Sequence, residues 1–204
     1  MNLELHGHLR HICVGSAQPL VAAGRTVLSG IVKRPLQGAI TVGALGLAGD
    51  EQANLSAHGG LQKAVYAYPV EHRPYWCAQR RAHGVPLLNE AEAANELPPG
   101  FMGENLTIEG ISERDVWVGD TLHWENSACV LRVTAPRQPC YKFNAIMGFA
   151  EASRLMVREA YCGFYLAVEQ LGTLQADTPF TLRAGSRALS ITEAIHAQWA
   201  KHRN

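Results

Sequence analysis

The sequence predicts a mostly β fold with peripheral helices (α+β): a β-barrel followed by a short C-terminal helix. Three observations lead there. Short β-branched or apolar runs punctuated by glycine recur from Gly30 to about Leu182. No internal repeat or low-complexity tract breaks that texture. The 204 residues, 47% of them hydrophobic, suffice for the core of one main domain of ordinary size.

Taken in order, the N-terminal His6-x-His8-x-x-His11 with Arg10 reads as a solvated arm at an end that frays, without the cysteine companions that a zinc site would want. Strands follow at Ser29-Gly30-Ile31-Val32-Lys33 and Ala39-Ile40-Thr41-Val42. A first helix runs from about Pro69 to His83, with Pro74 in the opening turn, where amides lack helical partners. The Ala-, Glu- and Pro-rich stretch Asn89 to Gly100 reads as a long loop or lid. Further strands are expected at Asn105–Ile108, Val116–Trp124 and Ala128–Thr134.

A second helix spans about Phe149 to Ala160, with Phe149, Ala152, Met156 and Ala160 on its core face and Gly163 just past its end. The run from Gly163 to Glu169 alternates large and small residues as a strand, and Pro179–Leu182 closes the sheet. Ser190-Ile191-Thr192-Glu193 is a capping box opening a third helix that carries Ile191, Ile195 and Trp199 on one stripe. Residues 1–183 therefore form the barrel domain. Residues 184–204 form the C-terminal helix, either a tether to the barrel or a truncated helical appendage.

Eighteen basic residues balance eighteen acidic ones, so no net field draws in nucleic acid or a membrane surface. No stretch approaches the roughly 20 apolar residues of a membrane span, and Met1 to Arg10 lacks the apolar run of a signal peptide. The expectation is a soluble cytoplasmic protein. Five cysteines, an odd set without a C-x-x-C pair, argue against a disulfide framework, a zinc ribbon or an iron–sulfur cluster. Cysteine chemistry must come from one thiol acting alone.

That thiol is Cys140. In Pro136-Arg137-Gln138-Pro139-Cys140-Tyr141-Lys142 it lies between two cations, which favour the thiolate that attacks electrophiles or binds a soft metal. The prolines restrict the backbone and fix the thiol's direction. His58-Gly59-Gly60, after Gly46-Leu47-Ala48-Gly49-Asp50, lets backbone amides approach a ligand, although its spacing is neither a P-loop nor a dinucleotide fingerprint. Gly103-Glu104-Asn105-Leu106 sets an acid and an amide at the mouth of a strand, where they can hydrogen-bond a heterocycle. Ser112 and Ser153 lack a nucleophile-elbow context.

In this order, with Gly30-Ile31-Val32-Lys33, Lys63-Ala64-Val65 and Val118-Gly119-Asp120, these segments resemble MOSC domains, and more narrowly the YiiM type, the branch named for hydroxylaminopurine resistance. The resemblance runs from residue 30 to 142 and extends to about 182. It implies a β-barrel with peripheral helices and a molybdenum cofactor (Mo-molybdopterin) whose metal is held by Cys140. It further implies that Lys33, His58, Gly59, Gly60, Asn105, Arg137 and Lys142 bind the cofactor, Arg137 and Lys142 facing its anionic groups. His58 and Asp50 are the nearest acid–base candidates. Two departures stand out: Met102 replaces an expected phenylalanine, moving the aromatic to Phe101, and only about 20 residues follow the barrel where members of the branch often carry a three-helix domain.

The implied activity is reduction of N-hydroxylated compounds such as hydroxylaminopurine, the N–O bond being cleaved with two electrons and the oxygen leaving as water. Lacking a flavin or nicotinamide fingerprint, the chain would take electrons from a separate reductase. A homodimer is compatible with the edges of a small barrel and the amphipathic C-terminal helix. The rival reading is a cofactor carrier or sulfur-transfer module in which Cys140 bears a persulfide.

Overall fold

A computed structural model describes residues 3–55 and 59–201. The strands are β1 (Glu4–Val14), the hairpin β2 (Gln18–Ala22) and β3 (Arg25–Ser29), β4 (Arg34–Pro35), β5 (Ala39–Gly43), β6 (Gly46–Leu47) and β7 (Val65–Pro69). After them come β8 (Leu106–Glu109), β9 (Thr121–His123), β10 (Val130–Pro136), β11 (Phe164–Gln170), β12 (Gly172–Gln175) and β13 (Thr178–Arg183). Seven of them close a β-barrel in the order β1-β13-β9-β10-β11-β7-β8 and back to β1, with β4 hung on β1. The hairpin β2–β3 and the small sheet β12-β5-β6 lie outside the ring.

Neighbours in the ring are antiparallel except β7 and β8, which run parallel with Ala67 opposite Leu106. Parallel strands need a crossover. Residues 70–105 supply it through a 3-10 turn at Val70–His72, helix α1 (Arg73–Ala82) and the short α2 (Glu90–Ala93). β7 is buried at all five residues, because its second face is covered where the Trp76 indole of α1 donates to the Tyr68 hydroxyl at 2.6 Å. On β10 the period-2 alternation puts Leu131 and Val133 in the core until the register slips between Val133 and Ala135. Three helices complete the chain: α3 (Tyr141–Met147), α4 (Ala152–Arg158) and α5 (Ile191–Lys201).

Several elements differ from their sequence reading. The expected N-terminal arm is β1, the 11-residue strand that closes the barrel: Leu9, Ile12 and Cys13 are buried while His6 is exposed. Its histidines hid an alternation of apolar residues. Residues 30–33 form an irregular connection between β3 and β4, and of the expected Val116–Trp124 strand residues 121–123 form β9 while Trp117 makes an isolated bridge to Ser190, Gly119 between them having φ +95°. The first helix opens as expected with Pro74 in its first turn. The second is shorter than Phe149–Ala160, and Ala160 itself, at φ +58°, turns the chain out of it, while Gly163 serves the start of β11. A Cβ on Gly163 would lie 2.4 Å from the Ala67 carbonyl oxygen on β7.

The expected lid at Asn89–Gly100 is anchored. Asn89 caps α2 by accepting from the Glu92 amide, and the buried Glu92 carboxylate pairs with Arg80 of α1 at 2.6 Å. Arg80 also donates to the carbonyls of Met147 and Pro86. A carboxylate and a guanidinium so engaged hold the crossover shut, since breaking one partner strands the other's charge in the core.

Candidate functional site

One cleft gathers most of the residues singled out in the sequence. Lys33, Asp50, Asn105, Arg137, Cys140 and Lys142 line it, together with Lys63, Tyr66 and Tyr165. It is a concave, partly open cleft that mixes polar and charged side chains with two aromatic rings. Its floor is the barrel rim where β7, β10 and β11 meet: Tyr66 and Tyr165 face each other across the β7–β11 pair with ring centroids 5.5 Å apart.

Cys140 is the N-cap residue of α3, four residues beyond the end of β10, with extended backbone (φ −136°, ψ 176°). It is partly exposed, whereas Cys13, Cys77, Cys129 and Cys162 are buried. Burial pushes those four thiols up, Cys129 to about 11, and so away from thiolate chemistry. The sequence's expectation of a single working thiol thus has one accessible candidate.

Arg137, three residues earlier, is buried, and its Nη1 lies 3.5 Å from the Tyr66 hydroxyl and 3.8 Å from Met156 Sδ. The guanidinium sits over the rings of Tyr66 at 5.0 Å and Phe143 at 4.9 Å. Among the described residues no carboxylate lies within 4.0 Å of it. Burial opposes its charge, yet a guanidinium loses its proton only far above neutral pH, so Arg137 stays protonated. Burial in turn holds Tyr66 well above and Tyr165 above the usual phenol range, leaving both neutral at pH 7. A desolvated cation ringed by neutral groups favours an anion in the cleft.

The opposite wall is a hydrogen-bonded brace. Lys33 Nζ pairs with Asp50 Oδ1, which also accepts from the Gly15 amide at 2.9 Å. Asp50 Oδ2 accepts from Asn105 Nδ2 at 2.9 Å. The same Asn105 amide donates to the Cys13 carbonyl, and Asn105 Oδ1 accepts from the Tyr66 amide. Asn105 therefore lines the cleft with its polar atoms already engaged. Glu104, expected beside it as a ligand, is fully buried and takes the amides of Gly100 and Met102 and the hydroxyl of Thr107. Both residues shape the wall more than they reach into it.

Lys142, in the first turn of α3, donates to the Leu28 carbonyl at 2.7 Å and ties the β2–β3 hairpin to the cleft. Gly60, at φ +81°, donates its amide to Gln52 Oε1, and a Cβ on Gly59 would lie 2.3 Å from that oxygen. The glycine pair thus lets the loop close on Gln52, beside the cleft. His58 lies outside the described residues. Neither Phe101 nor Met102 lines the cleft: Met102 is in the core, and Phe101 stacks under Arg80 at 5.5 Å.

Sequence reasoning did not assign Lys63, Tyr66 or Tyr165 to the site. Lys63 Nζ lies 5.6 Å from the centre of the Tyr165 ring. The tyrosines occupy alternating strand positions that read as ordinary core, and only the pairing of β7 with β11 brings them together. Among the described residues no three His, Cys, Asp or Glu side chains cluster as metal ligands, and no helix is long and apolar enough to cross a membrane.

Residues 54–181 match the model of the MOSC domain. The chain is 34% identical over 171 residues to Protein YiiM of Escherichia coli, covering 84% of this chain and 71% of that protein. It is 32% identical over 192 residues to the uncharacterized protein YflK of Bacillus subtilis, covering 94% and 80%. A protein of Gibberella moniliformis named Reductase is 29% identical over 180 residues, 88% of this chain but 28% of its own length. The crystal structure of YiiM from Geobacillus stearothermophilus superposes with TM-score 0.70 at 28% identity, over 97% of this chain and 86% of that one. Matched over most of its length in sequence and in fold, the chain belongs to the MOSC domain family.

Proposed function

We propose that this protein is a molybdenum-cofactor-dependent oxidoreductase that reduces N-hydroxylated compounds, base analogues such as hydroxylaminopurine among them. The observation that carries the reading is the meeting, in one cleft, of the one accessible thiol with a buried guanidinium that lacks a carboxylate. These residues fit an anionic cofactor that brings its own metal ligands: Cys140 offers a single soft donor, while Arg137, Lys142 and Lys63 offer positive charge. The relative named Reductase favours redox chemistry for this domain type.

When bound, the cofactor supplies the two electrons that split the N–O bond. With two protons, a hydroxylamine then gives an amine and water. The chain's part is to bind, orient and deliver protons. Arg137 fixes the anionic end of the cofactor, and Cys140 fixes its metal. Asp50, nominated as an acid–base group, has both oxygens committed to Lys33, Gly15 and Asn105, so in this reading it positions the wall. Proton delivery falls to Tyr165, whose ring edges the cleft, or to His58. Electrons come from a separate electron-donating reductase, and the setting is the cytoplasm.

Metal analysis tests the reading. Protein made in a host competent for the cofactor should carry close to one molybdenum per chain and turn over hydroxylaminopurine with an artificial reductant. Labile sulfur on Cys140 without molybdenum would instead establish the carrier or sulfur-transfer alternative.

A further inference from the structure

A second cavity lies behind the cleft, between α4, α5 and the segment that leads to Cys140. Its floor is Arg137, which separates the two spaces and lines both. Its walls are Val157, Ile195 and the half-buried Trp199, and Arg154 stands at its rim. Across the mouth Gln138 Nε2 donates to Gln198 Oε1 at 3.1 Å. Cys140, Lys33 and Lys142 do not contribute, so it is not an extension of the cleft.

The charge in this cavity is one-sided. Among the described residues none of its lining is acidic, in contrast to the cavity beside His72, which Glu71, Glu113, Asp115 and Glu159 line. Arg137 is only 7% exposed, and it is surrounded by the phenols of Tyr66 and Tyr165, the Phe143 ring and the Met156 thioether, none of them a carboxylate. Arg154 is exposed and makes no ion pair among the described residues. Two guanidiniums without carboxylates beside an indole and aliphatic walls match one ligand class: a flat apolar body bearing one negative charge, with a carboxylate that guanidinium N–H groups can grip side-on. We propose that this cavity binds an aromatic carboxylate, its ring against Trp199 and Val157 and its carboxylate held by Arg154, with Arg137 adding positive charge from the side it shares with the cleft. The assignment shares Arg137 with the cofactor reading of the cleft but is tested at Arg154 and Trp199, which line this cavity alone.

Benzoate is the probe. Titrated into the full chain and followed by ligand-detected NMR and tryptophan fluorescence, it should bind saturably, with neutral benzamide about tenfold weaker or worse. Trp199→Leu and Arg154→Gln should each weaken benzoate by about fivefold or more, whereas Cys140→Ser should leave it within about twofold. Because Arg154 is exposed, Arg154→Gln should melt as the parent does, which separates lost binding from lost folding. The proposal is overturned if benzoate does not saturate, if benzamide binds equally well, or if Cys140→Ser abolishes binding while Trp199→Leu spares it, since the anion would then lie in the cleft.

Discussion

Cys140 differs from the other four cysteines in being partly exposed and in lining the cleft, and that makes a sharp expectation. Cys140→Ser should lose molybdenum and activity while melting like the parent, because a hard hydroxyl replaces a soft thiolate at a partly exposed position. Cys77→Ser or Cys129→Ser should retain molybdenum, at the cost of some stability from a hydroxyl placed in the core. Equal molybdenum content in Cys140→Ser and the parent would remove the thiol from the metal. Arg137 makes a less intuitive case. A buried cation without a counter-charge weakens the empty protein, so Arg137→Met should raise the stability of the cofactor-free chain by about 1–3 kcal/mol in urea unfolding while sharply lowering cofactor content. Tyr165→Phe should preserve cofactor content and lower turnover by about a hundredfold if its hydroxyl delivers the proton. Cys140 and Arg137 were legible in the sequence because prolines and cations framed them. The tyrosines were not, since a strand residue that faces a cleft and one that faces the core look the same until the partner strand is known.

The C-terminal helix was legible as an element because its signals are local. Ser190 Oγ accepts from the Glu193 amide at 3.1 Å and Glu193 Oε2 accepts from the Ser190 amide at 2.9 Å, the reciprocal box that the sequence spelled out. Ile191 and Ile195 are buried, and Trp199 is half-buried at the second cavity. The Ile191 amide donates to the Val116 carbonyl and Thr192 Oγ1 to the Glu113 carbonyl, so α5 is fastened to the segment before β9. Cutting the chain after Arg183 should therefore lower the melting temperature, and amides of residues 194–199 should show slow hydrogen exchange in the intact protein. Ser190→Ala should cost about 1 kcal/mol. Hydrogen bonds from Ser190 hold the Glu193 carboxyl below the usual carboxylate range. A depressed folded-state value means that this stabilisation is present at neutral pH and is lost as the pH falls from the ordinary carboxylate range through the lowered one. An acid titration of the Ser190→Ala difference should show it shrinking there. Strand limits were harder to read: the 116–124 run is apolar enough for one strand, yet Gly119 at φ +95° splits it.

At the scale of the whole molecule, the barrel class was legible from the punctuation of short strands, but the ring order was not, because closure depends on a strand disguised by three histidines. β1 pairs with β13 from Glu4↔Arg183 to Leu9↔Thr178, joining positions almost the full barrel domain apart in sequence. A chain emerging from the ribosome N-terminus first makes β1 early and must keep its apolar face from wrong partners until β13 arrives. The barrel cannot close during most of its own synthesis, and contacts of such long range fold slowly. A fragment ending at residue 170 should stay open and associate, whereas supplying residues 171–204 as a separate peptide should restore a cooperative melt. The nascent protein thus has a vulnerable interval set by translation speed, during which a β1 edge without its partner is an aggregation template, and slower synthesis or absent chaperones should lower yield well before they alter the finished fold.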